Sequence, residues 1–292
     1  MDRQTSGETE AADFERRRHH DSTAHHSQRD HELQSRLSRL LDLLEKHRNI
    51  IYMLFTNSSF LDDDTAERIA RMGHVVPMLS LEGDEAETDR RRGAGVYDSV
   101  MKSMAALARH KAFFGFSSVV SQRTVETLSQ DSYFDDLYAK GCRIGLLVNY
   151  VPLDEKKENG MLLQPETQIA FRKKVVGFQK GKRMLLMHMP DDEYDKGGSC
   201  YAAGRGFVHI NAQGDMEPCP FAQMASHSIK EMSLKEALDG PFFKHIRSNP
   251  KLTKRPEVGC SIFENREELM KSSEKLGIYS TLTKKPVMSD LE

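Results

Sequence analysis

Ile50-Ile51-Tyr52-Met53-Leu54-Phe55, followed at once by Thr56-Asn57-Ser58-Ser59, is the segment from which the fold can be read. An apolar run of this length is one strand long and offers no polar side to water, so both of its faces must be covered. The polar residues that follow stop the run, and a helix is predicted from about Asp64 to Met72, closed by Gly73. An apolar strand feeding straight into a helix is the first half of a βαβ unit.

The same rhythm then recurs along the chain. Val75-Val76-Pro77-Met78-Leu79 is followed by Ser80-Leu81-Glu82-Gly83, a charged loop and a helix from Val96 to His110. Phe113 to Val120 leads through Ser121 and Thr124 into a helix ending near Gly141. Arg143 to Tyr150 leads to a helix between Gln164 and Gln179, and Met184 to Met189 is a fifth run. Doubly apolar runs alternating with helices predict an α/β fold, with a parallel sheet under helices. Upstream, Leu37, Leu40, Leu41 and Leu44 recur at helical spacing and predict an amphipathic helix that stops near Asn49.

Polar residues gather just after the strands: Thr56 and Asn57, Ser80 and Glu82, Ser118, and Asn149. Ligands of α/β sheets bind at such C-terminal strand ends. The same residue types also serve as ordinary turn and N-cap residues.

A second block carries the thiols. Ser199-Cys200-Tyr201 is followed by Phe207-Val208-His209-Ile210, a turn at Gly214, and Met216-Glu217-Pro218-Cys219. Two short strands about a glycine turn predict a hairpin, which brings Cys200 and Cys219 together. Cys260, behind Gly259, follows a loop over 249–258 that returns toward the hairpin. Thiolates held close together suit zinc or an iron–sulfur cluster, although neither end shows a Cys-x-x-Cys pair. Scattered cysteines are also ordinary small buried residues. Beyond the hairpin, Ser233-Leu234-Lys235-Glu236 reads as a capping box, Phe242, Phe243 and Ile246 as an apolar stripe, and Glu264 to Lys275 as a charged helix.

Composition removes several classes. Forty-two basic against 44 acidic residues, with no long basic face, argue against a specific nucleic-acid binder. No apolar run approaches the roughly 18 residues of a membrane span, and no charged-then-apolar leader opens the chain. A soluble, cytoplasmic protein with reduced thiols and no membrane partner is expected.

Several pieces together resemble one family. Phe55-Thr56-Asn57-Ser58 resembles the "TNG" strand end of radical SAM barrels, and Ser80-Leu81-Glu82-Gly83 resembles their Ser-aliphatic-acidic-Gly segment. Arg92-Gly93-Ala94-Gly95-Val96-Tyr97 is similar to their Arg-Gly-x-Gly-x-aromatic segment. Cys200-x18-Cys219 with Gly214-x-x-x-x-Cys219, then a lone cysteine before Ile262-Phe263-Glu264, resembles the auxiliary-cluster region of the SPASM or shorter twitch type. The match runs from about Leu40 to Lys275, and the order and spacing of the pieces carry it.

The resemblance implies a partial, TIM-like (βα) radical SAM barrel over 37–190. It also implies a small α+β domain with a hairpin and an auxiliary cluster over 191–275. A disordered, His- and Arg-rich segment over 1–36 and a tail over 276–292 flank them. By resemblance, Thr56, Asn57, Ser80 and Ser118 face S-adenosylmethionine (SAM), and Glu82 lies near its ribose or the substrate. Cys200, Cys219 and Cys260 then hold a 4Fe–4S auxiliary cluster. Its fourth ligand stays open among Cys142, His209, His227, a substrate atom or a partner. A small-molecule or peptide substrate and a reductant protein are the implied partners.

One defining element is missing. The family's Cys-x-x-x-Cys-x-x-Cys loop binds the cluster that reduces SAM, yet no cysteine precedes Cys142. The Gly-Gly-Glu-Pro strand end is missing as well. The expectation is that roughly the first two βα units are lost or replaced, as a truncated or frame-shifted reading of the gene produces, and that this chain does not cleave SAM alone. The leading reading is a radical SAM iron–sulfur oxidoreductase or maturase, whose intact relatives abstract hydrogen with a 5′-deoxyadenosyl radical. The alternatives are a non-catalytic iron–sulfur or electron-transfer module and a zinc-stabilised structural protein. No catalytic residue is assigned.

Overall fold

A helix over 33–46, α1, opens the computed structural model, which describes residues 33–152, 160–256 and 259–282. Of the tails expected over 1–36 and 276–292, residues 1–32 and 283–292 lie outside the described residues, whereas 33–36 belong to α1. After α1 come β1 (Tyr52–Thr56), β2 (Val75–Ser80), β3 (Gly115–Val120), β4 (Ile144–Asn149) and β5 (Leu185–Met189), each paired in parallel with the next, in the order β1-β2-β3-β4-β5. Between them stand α2 (Asp63–Met72), α3 (Glu85–Arg92), α4 (Val96–Arg109), α5 (Asp131–Ala139) and α6 (Pro165–Gly181). Strand order that never reverses puts every right-handed crossover on one face of the sheet. The other face is left as the inner wall of a barrel, unlike a doubly wound sheet with helices on both sides. The partial barrel implied by the sequence is the architecture observed.

Local chemistry sets the element ends. Asp62 caps α2 by accepting from Thr65 N at 2.9 Å, and Gly73, at φ 73°, closes it in the left-handed conformation that glycine adopts without strain. The charged loop expected after Gly83 is instead the helix α3. Asp84 caps it, accepting from Glu87 N at 2.9 Å, and Glu87 pairs with Arg90 one turn on. Its stability comes from capping and ion pairs, so hydrophobic periodicity did not reveal it.

Side chains alternate across the strands and divide the sheet. Leu54, Val75, Leu79, Phe116, Leu147 and Leu186 enter a core with helix residues such as Ile69, Leu107 and Phe171. Phe116, fully buried, has Tyr133 and Phe134 rings 5.9 and 6.2 Å away. Burial of such a side chain contributes roughly 1.5–3 kcal/mol. On the opposite, concave face lie Met53, Phe55, Met78, Leu146, Val148 and Met187, in matching register from strand to strand. Gly115 lets β3 approach β4: a Cβ there would stand 2.0 Å from the Ile144 carbonyl oxygen.

A second apolar cluster begins at Tyr194 on α7 (Asp191–Gly197). It gathers Met216, Phe242, Phe243, Ile246 and Leu252 with Cys200, Cys219 and Cys260. Among its supports are α8 (Leu234–Leu238), α9 (Pro241–Ser248) and α10 (Pro250–Thr253), and the capping box at Ser233 is formed in both directions. The single helix expected over Glu264–Lys275 is divided into α11 (Ser261–Glu264), α12 (Arg266–Lys271) and α13 (Ser273–Leu276). Asn265 breaks it, its side-chain amide donating to Ser261 O at 2.9 Å in competition with the helix backbone. Tyr279–Ser280, read from the sequence as tail, forms a strand, β9, antiparallel to β8 (Met224–Ala225). Among the described residues no helix is long and apolar enough to cross a membrane.

Candidate functional site

The predicted hairpin is present, with β6 (His209–Ile210) antiparallel to β7 (Met216–Glu217). Asn211 makes its turn: Oδ1 accepts from the backbone of Gln213 and of Asp215, each at 3.0 Å. Ala203 N donates to Pro218 O at 3.0 Å, which ties the Cys200 segment to the Cys219 segment. Cys200 N donates to Thr253 O at 2.8 Å, and Ser261 N donates to the Tyr194 hydroxyl at 2.9 Å, which fixes the approach of Cys260. Three separate stretches of chain thus deliver three thiols to one place, all buried.

The backbone treats these sulfurs alike. Ala202 N donates to Cys200 Sγ at 3.4 Å. Cys219 receives the N–H groups of Phe221 and Ala222, and Cys260 those of Phe263 and Ile262. In each case a donor lies two residues beyond the cysteine, and such donors favour the thiolate. Burial works the other way: it pushes Cys200 up to about 12 and raises Cys219 and Cys260 as well, and the charges of the neighbouring sulfurs raise Cys200 and Cys219 further. Cys142 belongs to the barrel core, where burial pushes it up to about 12 and Arg143 and Lys140 only partly offset that rise.

The three sulfurs open onto a cavity of about 440 Å³ with mainly apolar walls. Met53 and Phe55 from β1 line it together with Met187 and Met189 from β5, so the sheet curves until its two edge strands wall a common space. Glu193 of α7 stands among the thiols. Its Oε2 accepts from Tyr201 N at 2.8 Å, its carboxyl hydrogen-bonds Cys200, and burial raises its pKa. Cys142, His209 and His227 do not line the cavity. His209 is held by Glu217, 2.6 Å from Nδ1. Among the described residues no three His, Cys, Asp or Glu side chains stand close enough to hold a single metal ion.

The residues expected to face SAM are distributed over both sides of the sheet. Thr56 accepts from Ser58 N at 3.0 Å, and Asn57 from Ser59 N at 3.3 Å, so both make local turns. Ser118 is turned to the helices, its Oγ 3.5 Å from the Tyr133 hydroxyl, and Ser117 takes the concave face beside Ser80. Glu82 is buried, pairs with Arg92, lies 3.5 Å from Arg91, and accepts from Val119 N at 3.1 Å. Its carboxylate joins the ends of β2 and β3 to α3.

A polar network joins Asn149, already named among the polar strand ends, to an acidic run and two arginines that escaped the sequence reading. Asn149 Nδ2 donates to Asp191 at 2.8 Å, and Arg172 donates to Asp192 and Asp195, both at 2.7 Å. Arg255 pairs with Asp191 and Asp195. The available signal was the acidic run 191–195 directly after β5, with Arg172 alone on the buried side of α6.

No family profile and no curated protein matches the chain. Solved structures do. SuiB of Streptococcus suis bound to S-adenosylmethionine aligns at 18% identity and a TM-score of 0.58, over 72% of this chain and 53% of SuiB. SuiB bound to its precursor peptide SuiA aligns at 16% identity and 0.58, over 72% and 52%. Native anSMEcpe with bound AdoMet and Kp18Cys peptide aligns at 17% identity and 0.57, over 83% and 80%. The chain therefore shares the fold of these proteins and spans about half the length of SuiB.

Proposed function

We propose that this chain is an iron–sulfur protein of the radical SAM kind, in which Cys200, Cys219 and Cys260 hold a 4Fe–4S auxiliary cluster beside an apolar substrate cavity. The observation that carries this reading is the set of three buried sulfurs, each served by backbone N–H groups from just downstream and all opening onto one space. Thiols so deeply buried ionise against their own desolvation, and bound iron offsets that cost. The donor set therefore fits such a group.

When bound, a cluster of this type supplies an electron acceptor or a substrate-binding iron at the cavity wall. The chain's own residues bind and orient. Met53, Phe55, Leu146, Met187 and Phe207 offer an apolar surface that excludes water and takes an apolar side chain. A peptide substrate, modified as by a maturase, is the class that agrees with the peptide-bound SuiB and anSMEcpe structures. Reductive cleavage of SAM is not assigned to these residues, since no cysteine precedes Cys142.

Anaerobic reconstitution with iron and sulfide tests the reading. A brown, oxygen-sensitive protein with equal iron and sulfide is expected. A colourless protein without iron overturns it, and bound zinc in its place establishes a structural role.

A further inference from the structure

A second cavity, of about 250 Å³, lies between α6, α7 and the chain just ahead of Cys260, and it shares no lining residue with the cavity of the thiols. Its acids are already matched inside the protein. Asp191 is held through one oxygen by Asn149 and through the other by Arg255, and Asp195 is held in the same way by Arg172 and Arg255. Neither carboxylate is short of a partner.

Two donors on α6 are. Lys173 lines the cavity and has no ion pair or hydrogen bond from its side chain among the described residues. Gln168, one turn before Arg172, is only 9% exposed, yet its amide also has no hydrogen-bond partner among the described residues. Buried polar groups are almost always satisfied, and the cavity that Gln168 lines is the open space left to this one. Charge points the same way. Arg172, Lys173 and Arg255 against Asp191 and Asp195 leave one positive charge in excess, and the Asp192–Lys196 pair behind them does not alter that balance. Ile169, 51% exposed, adds an apolar wall beside these donors.

We propose that this cavity binds a small monocarboxylate with a compact apolar group. Lys173 supplies the matching charge, the Gln168 amide donates to a carboxylate oxygen, and Ile169 covers the apolar end. A phosphate dianion exceeds the single surplus charge and leaves Ile169 uncovered. Arg255 and Gly259 belong to the approach to Cys260, so an occupant ties that approach to α6. The site does not depend on the cluster reading, since none of its residues is a thiol.

The test uses the full chain, without reconstitution, titrated calorimetrically with isovalerate, N-acetylleucine, isovaleramide and inorganic phosphate. Both acids are expected to bind and to raise the thermal midpoint, and the tighter of the two tells a free acid from the end of a peptide. The uncharged amide is expected to bind about tenfold more weakly than isovalerate. Lys173→Met, at an exposed position, and Gln168→Leu are each expected to weaken acid binding by about tenfold, with the unliganded thermal midpoint of Lys173→Met unchanged. Failure of both acids to bind the wild type overturns the proposal, as does full binding in Lys173→Met, equal binding of isovaleramide, or phosphate bound more tightly than either acid.

Discussion

His188 Nε2 lies 2.7 Å from Asn149 Oδ1, and this contact fixes the state of both side chains. Asn149 uses Nδ2 to donate to Asp191, so its Oδ1 accepts and the imidazole carries its proton on Nε2. Nδ1 is then the acceptor facing Arg172 Nη1 at 3.4 Å. Burial pushes the pKa of His188 down to about 4, and the ring stays neutral.

Stability should therefore depend on pH through this ring. The unfolded chain takes up the proton near 6.5 while the folded chain refuses it until about 4, so stability is full above pH 6.5 and falls as pH drops toward 4. The loss across that window is about 3 kcal/mol. Urea unfolding at pH 7.5, 6 and 5 measures it. His188→Gln keeps a donor and an acceptor but cannot titrate, and it is expected to remove most of the slope.

Arg172 is the hub of the same network. Burial acts to raise Asp192, but the His188 N–H, Gln179 and Arg172 together hold it below the ordinary carboxylate range. Arg172→Met keeps the stem and removes the charge, leaving Asp192 buried with only neutral donors and Lys196 at 3.4 Å. A loss on the order of 3 kcal/mol is expected in urea unfolding at pH 7. A loss below about 0.5 kcal/mol would show that the ion pair contributes no more than a surface bridge.

Gly115 offers a purely steric test. Its alanine variant would push a methyl group against backbone, the Ile144 carbonyl, which cannot turn aside as a side chain can. Gly115→Ala is expected to cost on the order of 3 kcal/mol, read as a lower thermal midpoint. Gly177→Ala, on α6 with nothing near its Cβ position, is the control and should be neutral or stabilising.

The strands were legible because each apolar run had to be covered on both faces, and that demand is written in consecutive residues such as Val75 to Leu79. Which of two adjacent serines looks inward was not. Ser117 and Ser118 are one residue apart, and only the pairing of Ser117 with Ser80 decides that Ser118 turns to the helices. The thiols were found because cysteine is rare and chemically distinctive. Glu193 was hidden because an acid in an acidic run looks solvated, and its isolation emerges only when arginines from 172 and 255 claim its neighbours.

The four cysteines separate into two kinds, and serine variants should show it. Cys200→Ser, Cys219→Ser and Cys260→Ser are each expected to lower iron uptake on reconstitution and weaken the visible absorption. Cys142→Ser is expected to leave iron unchanged and cost roughly 1–3 kcal/mol of stability, because a hydroxyl is left in an apolar core. Loss of iron in Cys142→Ser alone would reverse the assignment.

Met53, Met187 and Met189 stand on the wall of the cavity beside the thiols. Thioethers take up oxygen to form sulfoxides, which turns a pliable greasy surface into a polar, chiral one. Iron shed in air from the adjoining sulfurs would generate oxidants within reach of these side chains. Aerobic handling should thus leave a mark that thiol reductants do not erase, since sulfoxides need their own reductases. A preparation whose cysteines have been rescued can still present a cavity too wet for its ligand, and the mass of the peptides bearing these methionines records which molecules have that history.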